Sequence, residues 1–209
     1  MQDIATLSQY ADELKTTGSV LIPANVLFDD DEIASFLRWL EDIPEERIRD
    51  GDAGDEHDVF VKRLMLDGVG EVPRRVNQPF AGQILDVWSD ERRDRMFSEL
   101  FASSNAYCIR RCQQNRLVEG SFVGIHLDSD SNPDYEFAAM LQLRRGFDGG
   151  EFVVYPDGGN TQIFLPPFGA VLITSCKYRH EVAVVRKDER AALVCFFSKN
   201  HGMNRRQIP

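Results

Sequence analysis

The sequence predicts an α+β fold, with a mainly helical first half followed by an all-β roll. Three observations carry this expectation. Up to about residue 105, apolar residues recur at helical spacing. After Tyr107, short apolar or alternating runs take over. These runs are punctuated by Asn132-Pro133-Asp134, Asp148-Gly149-Gly150, Pro156-Asp157-Gly158-Gly159 and Pro166-Pro167-Phe168-Gly169, which read as turns. The punctuation leaves strands near 106–113, 121–127, 135–144, 151–155, 161–165, 169–174, 180–186 and 190–198. Eight short strands at this spacing form a sandwich or barrel, and the jelly roll is the natural eight-strand solution.

In the first half, Asp30 and Asp31 are positioned to cap a helix in which Ile33, Phe36, Leu37 and Leu40 share one face. A second helical pattern runs from about Phe80 to Phe101, with Ile84, Val87, Trp88, Met96, Leu100 and Phe101 pointing inward. Between them, Glu45 to Asp58 is highly charged and reads as a mobile loop, with His57 solvated within it. Its run from Asp50 to Asp55 lacks the glycine and terminal glutamate spacing of a calcium loop. The expected organisation is a single domain over 1–209: a helical support region at 1–105, a jelly-roll core at 106–199 and a tail at 200–209.

With 43% hydrophobic residues, 209 positions suffice for a sizeable core. A formal charge of -10 opposes phosphate backbones, so nucleic acid is not an expected partner. No run is long and apolar enough for a membrane span, and Met1 to Lys15 lacks the pattern of a signal peptide. Cys108, Cys112, Cys176 and Cys195 read as free thiols, which suits a reducing cytoplasm.

The chemistry concentrates in the β half. His126 and Asp128 lie two residues apart at a strand end, so both side chains can turn to one side. His180 opens a strand 54 residues later. Two imidazoles and one carboxylate on one face can hold a metal and leave coordination positions open. Arg190 heads the apolar run Ala191 to Phe196, where an unpaired guanidinium is costly. It requires a carboxylate, either from an internal Asp or Glu or from a ligand. Arg186 and Lys187 are rivals for that role, but both read as exposed turn positions.

Taken together, these segments resemble the Fe(II)/2-oxoglutarate dioxygenases, in particular their prolyl-4-hydroxylase-like branch. The resemblance is carried by His126-Leu127-Asp128, Asp148-Gly149-Gly150-Glu151-Phe152, Pro167-Phe168-Gly169-Ala170-Val171-Leu172-Ile173, His180-Glu181-Val182 and Arg190. It spans roughly the C-terminal half and implies a double-stranded β-helix with N-terminal support helices. It also implies that His126, Asp128 and His180 hold Fe(II) and that Arg190 holds 2-oxoglutarate. By the same resemblance, Gln142, Phe152 and Val182 belong to the co-substrate pocket. The strand before the His-x-Asp motif departs from the family in having no tyrosine; Arg116 and Val123 stand there.

The implied reaction consumes O2 and 2-oxoglutarate, releases succinate and CO2, and hydroxylates a substrate C–H bond. Related halogenases have a small residue where Asp128 stands, so hydroxylation is expected over halogenation. Nucleic-acid demethylases of the superfamily have a second arginine where Phe196 stands, which again argues against a nucleic-acid substrate. The expected substrate is a small polar metabolite, an amino acid or a derivative of one. Arg74, Arg75, Arg110 and Arg111 are candidate partners for its carboxylate. A protein side-chain hydroxylase and a non-catalytic jelly-roll binding protein are the alternatives. Oligomeric state is not legible.

Overall fold

The computed structural model describes residues 4–52, 54–103 and 107–207. Helix α1 (Ile4–Thr17) leads into strand β1 (Ser19–Ile22). Helix α2 (Asp30–Glu41) leads into the hairpin of β2 (Glu45–Asp50) and β3 (Glu56–Leu66). The short β4 (Arg74–Arg75) precedes α3 (Phe80–Trp88) and α4 (Glu91–Leu100). Then follow β5 (Cys108–Leu117), β6 (Phe122–His126), β7 (Phe137–Gln142), β8 (Asp148–Gly149) and β9 (Phe152–Tyr155). The last five are β10 (Gln162–Phe164), β11 (Val171–Ser175), β12 (Arg179–Val182), β13 (Val185–Lys187) and β14 (Arg190–Ser198).

The strands pair antiparallel in the order β1-β11-β7-β14-β5-β3-β6-β12-β9-β10, with β2 and β4 on the flank of β3. This continuous ribbon curls into a nearly closed jelly roll, the double-stranded β-helix. Strand β3 turns the corner: Phe60 to Met65 pair with β5, while His57 and Asp58 pair with β6. A separate pair, β8 with β13, closes one end.

Two hydrophobic cores follow from strand alternation. On β14, Ala191, Leu193, Cys195 and Phe197 face the helices, where they join Trp88, Phe97 and Leu100. Ala192, Val194 and Phe196 face into the roll with Met140, Phe152 and Val182. All nine residues of β14 are buried, as expected of a strand covered on both faces. Each fully buried Leu, Val or Phe contributes roughly 1.5–3 kcal/mol. Arg190 belongs to the inward set by the same period of two.

Besides the unexpected short strands β1, paired with β11, and β4, paired with β3, the first half differs from the sequence expectation in three places. The supposed loop at 45–58 is largely strand. Its charges pair across the sheet: Arg47 with Asp58 at 2.7 Å, Arg63 with Glu46 at 2.6 Å, and Arg116 with Glu45 at 2.7 Å. The α2 cap is Asp29, not Asp30 or Asp31. Its side chain accepts from the Glu32 N–H at 2.8 Å and the Glu32 side chain accepts from its N–H at 3.0 Å. The second helical pattern breaks into α3 and α4 at Ser89, where Asp90 caps the next helix by accepting from the Arg93 N–H at 2.8 Å. No helix among the described residues is long and apolar enough to cross a membrane.

Candidate metal centre

Adjacent antiparallel strands bring the two histidines together. His126 closes β6 and faces His180 on β12 in register, with ring centroids 4.3 Å apart. Asp128 begins a short 3-10 turn just beyond β6. His126 Nε2 lies 3.5 Å from Asp128 Oδ1, and His180 Nε2 lies 3.5 Å from Asp128 Oδ2. The three groups could hold a metal ion, since their ligand atoms all lie within 4.8 Å of one another.

Backbone carbonyls orient both rings. His126 Nδ1 pairs with Gly124 O at 2.8 Å and His180 Nδ1 with Tyr178 O at 3.0 Å, so each Nδ1 donates. With Nδ1 donating, each Nε2 faces the shared point, and its lone pair is available for a metal once the ring is neutral. Gly124 is required for the close approach of β6 to β3: a Cβ there would meet Glu56 O at 2.4 Å.

The electrostatics match a carboxylate between two imidazoles. Burial favours the neutral acid at Asp128, but His180 and His126 outweigh it and hold the carboxyl below its ordinary value. Burial likewise opposes charge on His126, yet the Asp128 carboxylate pushes it up to about 9. His180 is lowered, chiefly by burial. Asp128 Oδ2 is buried and makes no hydrogen bond.

One narrow cavity is lined by His126, Asp128, His180, Phe152, Val182 and Arg190. Phe152 stacks on His180 at 5.1 Å between centroids. Arg190 is 2% exposed, and among the described residues no carboxylate pairs with it. Its Nε has no hydrogen-bond partner, and desolvation alone pushes its pKa down to about 10. An internal Asp or Glu therefore does not supply the partner its position demands. Gly150 makes space for it, with a φ of +68° and a would-be Cβ only 2.9 Å from Arg190 Cδ. Arg186 is exposed and tied to Asp148 and Glu151, and Lys187 is also exposed. Gln142 is buried on the Met140 face of β7 but does not line this cavity.

A second cavity of about 190 Å³ opens in front of His126 and Asp128. Strand β5 lines it with Arg111, Gln113 and Asn115, and β3 with His57, Val59, Val61 and Arg63. Of the four candidate arginines, only Arg111 lies here. Arg110 points the other way into a fully buried ion pair with Asp67 at 2.8 Å. Arg74 and Arg75 are exposed on β4, where Arg75 pairs with Asp86 at 2.7 Å.

His57 is not a solvated loop residue. Its Nε2 lies 2.9 Å from Asp55 Oδ2, its ring is 5.3 Å from that of His126, and burial lowers its pKa. Gly124 N–H approaches its Nδ1 at 3.2 Å, so His57 supports the backbone that orients His126. The alternation of Val59 and Val61 was the sequence signal for this strand, and the flanking charges obscured it.

Residues 112–198 match the model of the 2OG-Fe(II) oxygenase superfamily. The chain is 45% identical to an oxidoreductase of the 2OG-Fe(II) oxygenase family from Burkholderia pseudomallei. Their structures superpose with a TM-score of 0.92, covering 99% of this chain and 97% of the other. Two more distant structures share the fold. A prolyl-4-hydroxylase from Pseudomonas putida is 18% identical, with a TM-score of 0.65 over 93% of this chain and 99% of its own. The α-ketoglutarate-dependent epimerase SnoN of nogalamycin biosynthesis is 13% identical, with a TM-score of 0.70 over 94% of this chain and 82% of its own. No curated protein matches the chain.

Proposed function

Because the chain belongs to the 2OG-Fe(II) oxygenase superfamily, we propose that it hydroxylates a C–H bond of a small polar metabolite, an amino acid or a derivative of one. In this reading His126, Asp128 and His180 hold Fe(II), and Arg190 holds the far carboxylate of 2-oxoglutarate. The residues suit both groups. Two imidazole Nε2 atoms, once neutral, and a carboxylate would form a donor set for Fe(II) with coordination positions left for 2-oxoglutarate and O2. The observation that carries the proposal is Arg190: a buried guanidinium without a carboxylate partner among the described residues, in the same cavity as the donor set.

When bound, Fe(II) and 2-oxoglutarate supply the oxidising power drawn from O2, with succinate and CO2 released. The chain's own contribution is positional. Gly124 and Tyr178 carbonyls fix the imidazole tautomers. Phe152 packs on His180, and together with Val182 it gives the inner cavity apolar walls that exclude water. Asn115 lines both cavities, at the boundary between the inner cavity and the polar mouth. The compact, polar mouth supports a small hydrophilic substrate. A peptide side chain is the second reading, motivated by the fold shared with a prolyl-4-hydroxylase.

Purified protein with Fe(II) and 2-oxoglutarate should form succinate slowly under air, and His126→Ala should not. A metabolite screen should then find compounds that accelerate consumption of 2-oxoglutarate. Acceleration by peptides but by no free metabolite would replace the first reading with the second.

A further inference from the structure

The mouth of the outer cavity already contains a bound carboxylate, and it belongs to the protein. Asp52, on the turn between β2 and β3, accepts hydrogen bonds through Oδ2 from Arg111 Nη1 at 2.9 Å and Ser131 Oγ at 2.5 Å. Arg206 Nη1 lies 3.8 Å from Asp52 Oδ1, and Arg206 Nη2 donates to Asp52 O. The donors come from three separate parts of the chain: β5, the turn that follows Asp128, and the C-terminal segment. Two guanidinium groups and a hydroxyl around one carboxylate form a charge-assisted cradle.

The cradle and its occupant differ in how they are held. The Arg111 side chain is 18% exposed and that of Asp52 is 37%, so the acid approaches from the solvent side. Arg111 Nε is buried and has no hydrogen-bond partner, which leaves donor capacity that Asp52 does not use. Arg111, Asp52 and Ser131 line the same cavity as His126 and Asp128. An acid entering that cavity meets the cradle beside the candidate metal centre.

We propose that Arg111, Ser131 and Arg206 form a subsite for a carboxylate of the substrate, and that Asp52 fills it when no substrate is present. This rests on the reading of the outer cavity as the substrate entrance. The substrate class is then a small carboxylic acid, and its amide or ester is excluded. Asp52 acts as an internal competitor, because a site populated in the open state only part of the time binds more weakly by that fraction.

The test uses acetate and acetamide as probes of equal size and different charge. Each is titrated into the full chain, loaded with Zn(II) as a diamagnetic stand-in and with one equivalent of 2-oxoglutarate. The readout is NMR shifts at the Arg111 side chain and at Ser131. Removing the competitor in Asp52→Ala should tighten acetate binding about tenfold or more and leave acetamide unchanged. Asp52→Asn, which preserves the shape of the turn, should do the same. Arg111→Gln should abolish the preference for acetate over acetamide. Equal responses to the two probes in Asp52→Ala and Asp52→Asn would overturn the subsite. So would unchanged acetate affinity in both. Succinate formation by the Fe(II)-loaded wild-type chain, measured in parallel, tests the oxygenase reading separately.

Discussion

In the metal-free chain, His126 retains its proton through neutral pH, because Asp128 outweighs the effect of burial and raises its pKa to about 9. The folded-state value lies above the ordinary one of 6.5, so this ion pair stabilises the empty fold fully below about 6.5, and that stability is lost as pH rises through about 9. Metal binding has the opposite sign. The proton must leave before Nε2 can coordinate, so affinity for Mn(II) should rise about tenfold per pH unit below about 9 and level off above it. Calorimetry in buffers of differing ionisation enthalpy should show close to one proton released per ion at neutral pH; none released would place the His126 pKa lower. Arg190 gives a second pair of opposed expectations. Replacing an unpaired buried guanidinium by an apolar group relieves its desolvation, so Arg190→Met should stabilise the metal-free chain by roughly 1–4 kcal/mol in urea titrations. The same variant should weaken 2-oxoglutarate binding about 10- to 100-fold, the worth of a charged hydrogen bond. A variant both less stable and equally able to bind would contradict both. Arg190 was legible in the sequence because a charge heading an apolar strand has few explanations. Arg111 was not separable from Arg110, because neighbours in a strand face opposite sides and the facing is set by pairing with β14, through an irregularity between Phe196 and Phe197.

At the scale of elements, the β half was readable and the β2–β3 hairpin was not. From β5 onwards turn residues separate most of the strands, but β5 is largely polar and runs on to Leu117 rather than 113, and the stretch read as one strand at 180–186 forms two, β12 and β13. In β2 and β3 the outward positions are almost all charged, and the stabilising ion pairs form only once the strands are side by side. Local composition therefore resembled a solvated loop. The consequence for the site was large, because β3 contributes His57, and the hairpin with its turn lines about half of the outer cavity. The junction of β3 with β6 also sets the backbone spacing beside the candidate metal centre. Gly124→Ala would place a Cβ 2.4 Å from Glu56 O, which only separation of the two strands can relieve. We expect a loss of roughly 1–3 kcal/mol in stability, as for overpacking generally. A disproportionate loss of metal affinity should accompany it, because the Gly124 carbonyl that orients His126 moves too. Metal affinity intact in a destabilised Gly124→Ala would show that His126 is oriented independently of this junction.

Across the whole molecule, the segment after β14 ties distant parts of the roll together, where the sequence suggested only a tail. Arg110 donates to both carboxylate oxygens of Asp67, at 3.0 and 2.8 Å, and its Nη1 donates to the carbonyls of Asn200 and, at 2.9 Å, Gly202. Asn132, four residues beyond Asp128, donates to Asp67 Oδ2 at 2.7 Å. Asn204 donates to the carbonyls of Asp67 and Ser131 at 3.0 and 3.2 Å. The C-terminal segment, the end of β3 and the turn bearing Asp128 therefore share one buried polar network. Removing one member leaves the others desolvated without partners, which costs more than the network contributes. Arg110→Ala should destabilise the chain by about 3–5 kcal/mol, since it strands a buried carboxylate. The double variant Arg110→Met with Asp67→Leu should cost less than Arg110→Ala, because only the Asn132 amide and the tail carbonyls then lose partners. Urea denaturation of the three proteins measures the order directly. Metal affinity gives the functional reading: Arg110→Ala should weaken it through Asn132 and the Asp128 turn, although Arg110 touches none of the candidate ligands. If the double variant proves the less stable, the pair contributes net stability. If Arg110→Ala binds metal as the wild type does, the turn holds its shape without the network.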